Sequence, residues 1–356
     1  MSKKARHCSF AVSVRLVALG GILGWAARSG IAQTAVNPAS MPRSGTIEER
    51  FQAYNVEMLE VTGGRFWKPY KDMQTEASKQ PAARQSGSTP AGMNPNLYEY
   101  RPPIDLSNAR LRKLAAALGP AYVRVSGTWA NTTYFYDANG PAPTTPPTGF
   151  GGVLTRKQWK GVVDFSHAVN ARIITSFATS PGTRDAGGVW TPNQARQFLS
   201  YTRSAGGDIA AAEFMNEPSF AAMGGAPKGY DAATYGHDIA VFRAFLKETA
   251  PEILFLGPGS VGEGGSLPIP ANSGMLPSED LLKATGPVVD IFSYHLYAAV
   301  SKRCASMGPA SQTTPETSWA PEWLSLPDKI NAFYAGLRDR FDASKTLWIT
   351  ETADAA

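Results

Sequence analysis

Short apolar runs alternate with amphipathic stretches of helical period along most of this chain. Strands are expected at Tyr54–Val61, Ala121–Val125, Arg172–Phe177, Ile209–Met215, Ile253–Leu256, Val289–Tyr294 and Thr346–Ile349. Helical patterns fall between them. Asn108–Leu118 has Ser107 as its expected cap and Gly119 as its stop, and Lys157–Val169 follows. A third helix starts at Thr191–Pro192, with Thr as cap and Pro in the first position, and runs to about Ala205. Ala233–Thr249, a short helix capped by Ser278, and Pro327–Arg340 complete the set. Repeated βα alternation predicts an α/β fold with a parallel sheet. Seven strands in series suggest a (β/α)8 barrel truncated after strand seven, rather than an open doubly wound sheet. No Gly-rich phosphate fingerprint follows the first strand, which weakens a dinucleotide-binding reading. Two stretches, Thr75–Asn96 and Asn139–Gly152, read as loops. Both follow early strands, so in a barrel they border the catalytic mouth or form mobile surface loops.

The first 32 residues stand apart from that pattern. Lys3, Lys4 and Arg6 precede an apolar stretch from Phe10 to Ala27, and Gly30 and Ala32 offer small residues for cleavage. This is the layout of a secretory signal peptide. Arg15 interrupts the apolar stretch and leaves it short of the roughly 20 residues of a membrane span. The expected division is a signal peptide over 1–32 and an incomplete barrel catalytic domain over 33–356. The mature protein would be secreted or periplasmic, with no membrane association after cleavage.

Cleavage also changes the charge. The whole chain has 34 basic and 29 acidic side chains, but five of the basic ones lie in residues 1–32, which hold no acid. The remainder is 29 against 29, which gives no support for nucleic acid as a partner. Cys8 leaves with the leader, so Cys304 has no internal disulfide partner. The histidines at 7, 167, 237 and 295 lack metal-ligand spacing. Neither a metal nor another cofactor is expected.

Chemistry enters at two strand ends. Ala211-Ala212-Glu213-Phe214-Met215-Asn216-Glu217-Pro218 is an apolar strand that runs straight into Asn-Glu-Pro. A carboxyl group at the carboxyl end of a parallel strand faces the mouth of a barrel. Partial burial and a neighbouring carboxylate would hold its proton at neutral pH. Leu347-Trp348-Ile349-Thr350-Glu351-Thr352 delivers a second Glu in the same way three strands later. Hydrolysing a glycosidic bond with retention needs two carboxyl groups about 5–5.5 Å apart, one to attack the anomeric carbon and one to protonate the leaving oxygen. Glu217 is the expected acid/base and Glu351 the expected nucleophile. In Phe292-Ser293-Tyr294-His295-Leu296-Tyr297, a Tyr297 hydroxyl could hold the nucleophile ionised. Core packing is the competing reading there, for His295 above all.

These motifs resemble those of the retaining (β/α)8 glycosidases and, more narrowly, of glycoside hydrolase family 79, which includes heparanases and β-glucuronidases. Leu118-Gly119-Pro120-Ala121-Tyr122-Val123-Arg124-Val125-Ser126-Gly127-Thr128 is similar to that family's Ser-Pro-Ala-Tyr-Leu-Arg-Phe-Gly-Gly-Thr segment. Leu256-Gly257-Pro258 resembles its Val-Gly-Pro, Ser293–Tyr297 its Trp-His-His-Tyr, and Trp348–Thr352 its Trp-Leu-Gly-Glu-Thr. The matches keep one order from Leu106 to Thr352. The resemblance implies a retaining glycoside hydrolase of β-glucuronidase type, acting on a β-linked glycoside or a uronic-acid-containing glycan. It implies Asn216 and Thr128 as sugar contacts, with Tyr297 beside the nucleophile and His295 among the substrate-binding groups. Glu263 stands near the family's sugar-binding Gln. The family continues past the nucleophile strand through an eighth strand and helix into a β-sandwich, whereas this chain ends five residues after Glu351. Other readings are a different β-glycosidase of the same clan, or a truncated non-catalytic fragment.

Overall fold

A computed structural model describes residues 37–43, 45–73, 89–90, 92–265, 273–307 and 312–353. The expected leader, residues 1–32, and most of the expected loop Thr75–Asn96 lie outside the described residues. The chain divides into two compact units, Met1–Ile47 and Glu48–Ala356. The first contains a 3-10 turn at Pro38–Ser40, capped by the Asn37 side chain.

The second unit begins with β1 (Ala53–Glu57), α1 (Met58–Thr62), β2 (Gly64–Trp67), α2 (Tyr70–Met73) and β3 (Tyr98–Arg101). Next come α3 (Ala109–Ala116), β4 (Ala121–Ser126), β5 (Thr133–Tyr136), β6 (Gly152–Thr155), α4 (Arg156–Ala168) and β7 (Ala171–Ser176). They are followed by α5 (Asn193–Ser204), β8 (Ile209–Glu213), α6 (Ala232–Thr249), β9 (Leu254–Ser260), α7 (Ser278–Thr285) and β10 (Ile291–Tyr297). The last are α8 (Pro321–Leu324), α9 (Leu326–Asp342) and β11 (Leu347–Ala353). One sheet of seven strands runs in the order β1-β4-β7-β8-β9-β10-β11, every pair parallel. This is the expected βα series. The sheet curls into a nearly closed barrel, so side chains from β4 and β11 meet. The Tyr122 and Trp348 rings lie 5.3 Å apart.

Strand alternation sorts the side chains into two environments. On β4, Val123 and Val125 point outward into the core shared with the helices. Tyr122 belongs instead to a separate cluster inside the barrel, with Ile174, Ala211, Leu256, Ile291 and Trp348. That apolar plug fills the barrel below its carboxyl ends. One inward position further along β4, β7, β8, β10 and β11 the residues turn polar: Arg124, Ser176, Glu213, Ser293 and Thr350. Outside, Trp159, Phe198, Phe242 and Phe214 anchor the helical layer. Each such buried side chain contributes about 2–3 kcal/mol.

Several local expectations change. The run Tyr54–Val61 is not one strand. β1 ends at Glu57, where Glu60 reaches back to the Glu57 N–H at 3.1 Å and starts α1. Asn108, not Ser107, caps α3, its side chain accepting from the N–H groups of Arg110 and Leu111. Ser278 is the first residue of α7 rather than its cap. Two small sheets were not expected: antiparallel β2–β3, and parallel β5–β6, whose second strand begins at Gly152 where the loop reading ends. Among the described residues no helix is long and apolar enough to cross a membrane.

Candidate active site

Five of the seven sheet strands aim a polar side chain at one point above the apolar plug. The centre is Arg124, 1% exposed in the middle of an otherwise apolar strand. Its Nη2 donates to Glu213 Oε2 at 2.6 Å and to Asn216 Oδ1 at 2.9 Å. Its Nη1 donates to Glu351 Oε2 at 2.5 Å and to Asn55 Oδ1 at 3.2 Å. A buried cation needs such partners, because leaving water alone costs several kcal/mol. Glu213 is equally buried and also accepts from Thr350 Oγ1 at 2.8 Å. Burial pushes its carboxyl up, but Arg124 and His295 outweigh that and bring it down to about 2.

Glu351 owes its orientation to a register break. Pairing between β10 and β11 runs Tyr294 with Ile349 and then His295 with Glu351, passing over Thr350. The bulge lets both Thr350 and Glu351 reach the barrel interior, where strict alternation would send one outward. Arg124 holds Glu351 Oε2, and the Tyr297 hydroxyl donates a short bond to Oε1. Burial alone would raise this carboxyl. The charges of His295 and Arg124 and the Tyr297 bond hold it below its ordinary value.

Glu217 follows the end of β8 in a left-handed conformation, φ +49°. Such backbone is uncommon outside glycine and persists where neighbours fix it. Asn131 clamps the preceding residue: Asn216 N–H donates to Asn131 Oδ1 at 2.8 Å, and Asn131 Nδ2 donates to the Asn216 carbonyl at 3.0 Å. A 3-10 turn at Pro218–Phe220 holds the other side. His295 Nδ1 lies 2.9 Å from Glu217 Oε1. Arg124 Nη2 also lies 3.2 Å from His295 Nε2, with its two hydrogens directed to Glu213 and Asn216. In its charged form His295 carries a proton on Nδ1, which donates to Glu217 Oε1 and leaves Oε2 to hold the Glu217 proton. Burial and the Glu351 charge raise the Glu217 carboxyl, against the His295 bond. Burial disfavours the imidazolium, but the surrounding carboxylates, Glu351 first, push His295 up to about 9.

Glu217, His295 and Glu351 each place an oxygen or nitrogen within 4.8 Å of the others. A divalent cation could use that spacing. Here the same groups are engaged with one another, with Arg124 and with Tyr297.

Of the residues expected from sequence, Thr128, Glu217, Tyr297 and Glu351 line one cleft of about 230 Å³. Asn216 and His295 sit directly behind it, bonded into the network. Glu263 is not among the lining residues. Its carboxylate accepts from the N–H and hydroxyl of Ser278 at the start of α7. Sequence reasoning missed Arg124, Glu213, Asn131 and Glu57. Arg124 and Glu213 had a signal: opposite charges each embedded in an apolar strand must be paired. Glu57 lines the cleft from the end of β1, and among the described residues its Oε2 has no hydrogen-bond partner. Burial, then the charges of Glu351 and Glu217, raises its carboxyl well above the ordinary range. Gly127, at φ +94°, makes room for it, since a Cβ there would lie 1.7 Å from Glu57 Oε2.

A parallel barrel with two facing carboxyl groups of opposed acidity at its mouth has the architecture of a glycosidase. The chain belongs to glycosyl hydrolase family 79: residues 103–300, more than half of it, match the family's N-terminal domain. That stretch includes Thr128, Glu217, His295 and Tyr297 and ends before Glu351. Heparanase-like protein 1 of Arabidopsis thaliana is 26% identical over 208 residues, covering 54% of this chain and 37% of the relative. The chain thus spans well under half the length of that curated relative. Among solved structures, a family 51 α-L-arabinofuranosidase from Bifidobacterium longum aligns over 68% of this chain and 49% of its own, at 16% identity and TM-score 0.44. An α-L-arabinofuranosidase from Thermotoga maritima aligns over 68% and 48%, at 15% identity and TM-score 0.46.

Proposed function

We propose that this chain carries the catalytic pair of a retaining glycoside hydrolase that works by double displacement. The observation that supports it most is the approach of Glu217 and Glu351 within 4.8 Å, with one carboxyl held up and the other held down. In the first step a Glu351 oxygen attacks the anomeric carbon, and the bond to the leaving oxygen breaks as Glu217 Oε2 gives up its proton to it. The product is a glycosyl ester on Glu351. Esterification removes the Glu351 charge that helps keep Glu217 protonated. Glu217, now a carboxylate steadied by His295 Nδ1–H, takes a proton from water. The water oxygen attacks the anomeric carbon and the ester breaks. Glu57 offers a neutral carboxyl and Thr128 a hydroxyl to the sugar in the same cleft.

Family membership and the heparanase-like relative support a β-glucuronide or uronic-acid-containing glycan as substrate. A neutral β-glycoside is the second reading. It is favoured by the cleft itself, whose lining among the described residues has no lysine or arginine to pair with a uronate. Matched glucuronide and glucoside substrates separate the two. The mechanism is tested with a mechanism-based fluoro-sugar, which should label the peptide containing Glu351. Label elsewhere, or an inverted first product, overturns it. We also propose that residues 1–32 direct export. Recovery of protein with an intact Met1 from the cytoplasm alone would count against that.

A further inference from the structure

The cleft does not end at the carboxyl pair. Directly after Glu217 the chain turns through Pro218–Phe220, and Phe220 and Met223 line the cleft together with Val261 from the segment after β9. These segments are stitched into one wall. Ser219 Oγ donates to the Val261 carbonyl and accepts from the Val261 N–H, both at 3.1 Å. The Ser219 carbonyl accepts from Leu276 N–H at 2.9 Å. Aromatic rings line the cleft elsewhere: Trp67 stacks on Tyr98 at 4.5 Å, and Trp129 meets Tyr98 edge-on at 6.2 Å. The Tyr98 hydroxyl is buried and, among the described residues, has no hydrogen-bond partner. Among the described residues, the carboxylic acids that line the cleft are Glu57, Glu217 and Glu351, and no lysine or arginine lines it. Arg303 is close by, but it stacks over Tyr70 and Trp67, and its Nε and Nη2 donate to the Lys68 carbonyl.

We propose that this apolar wall beside Glu217 is an aglycone site for a flat, apolar ring system, an aryl or polyphenol group joined to the sugar through the scissile oxygen. The inference rests on the hydrolase reading above. Glu217 protonates the leaving oxygen, so whatever departs lies against the segment that Glu217 opens, which is the wall of Phe220, Met223 and Val261. An apolar wall gains from covering an apolar ring and gains little from a hydroxylated sugar. Among the described lining residues there is no lysine or arginine to pair with a sulfated or polyuronate leaving chain.

The test is calorimetric binding of phenyl and methyl 1-thio-β-glycosides, in matched glucuronide and glucoside pairs, with 2-naphthol as a sugar-free probe. On whichever sugar binds, the phenyl compound should bind at least about tenfold tighter than the methyl one. Phe220→Ala with Met223→Ala should bring that ratio toward one, and Phe220→Leu should keep most of it. Equal affinities in the wild type, a ratio untouched by the double substitution, or tighter binding of a sulfated disaccharide overturns the proposal. If neither thioglycoside binds but 2-naphthol does, with the same dependence on Phe220 and Met223, the apolar site stands and the hydrolase reading fails. If 2-naphthol also fails to bind, both fail.

Discussion

Glu213 touches no part of the cleft lining, yet it sets the charge of the groups that do. Glu213→Gln removes one of the two carboxylates that neutralise Arg124 and the nearest counterion of His295 Nε2, 3.8 Å away. At an effective dielectric near 20, a unit charge at about 4 Å is worth about 4 kcal/mol, or about three pKa units. Arg124 already offsets part of that field, so His295 should fall by about one to three units from its value near 9. The excess positive charge then favours ionised Glu217, and the alkaline limb of kcat/KM should move to lower pH. Arg124 keeps Glu351 at 2.5 Å, so the cost to folding should sit at the lower end for a broken buried pair, about 3 kcal/mol. The assay is an NMR titration of the His295 ring beside the pH profile, in wild type, Glu213→Gln and Glu213→Asp. The aspartate keeps the charge and should keep most of the shift. If His295 titrates at the same pH in wild type and Glu213→Gln, the electrostatic argument is wrong.

Three other outcomes follow from the same network. Tyr297→Phe removes a hydrogen bond that favours ionised Glu351, so the acid limb of kcat/KM should rise by about one pH unit with a lower kcat; an unmoved acid limb would count against it. Gly127→Ala should destabilise by about 2 kcal/mol or more, from positive φ and the collision with Glu57, and adding Glu57→Ala should recover part of the loss in a thermal melt. His295 binds its proton more tightly folded than unfolded. Its contribution, about 3 kcal/mol, is therefore full below its ordinary value near 6.5 and is lost as pH rises through about 9. Unfolding midpoints measured from pH 6 to 10 should fall more steeply in wild type than in His295→Gln.

The sheet was legible because its signal is one-dimensional. Most of the seven strands are apolar runs bounded by helical period, and parallel pairing follows from the βα order. Where local chemistry overrode pattern, the sequence misled: Met58–Val61 is apolar enough to prolong β1, and the Glu60 contact to Glu57 N–H instead begins a helix. The antiparallel pair β2–β3 escaped notice because each strand has only 4 residues and its partner lies beyond α2 in the chain. Both expected glutamates could be picked out because each follows an apolar run closely, Glu217 just beyond β8 and Glu351 within β11. What ties the pair together was not read, although its trace was present. Arg124 and Glu213 are charges inside apolar runs, and burial forbids either without the other. Once those two are paired across the barrel, one guanidinium faces the interior from β4 with donors to spare. The bulge at Thr350 brings Glu351 to it, and His295 carries the same field on to Glu217. The opposed acidities of Glu217 and Glu351 therefore come from different neighbours: His295, Arg124 and Tyr297 hold Glu351 down, while burial and the Glu351 charge raise Glu217. Neither glutamate could acquire its value from its own strand alone.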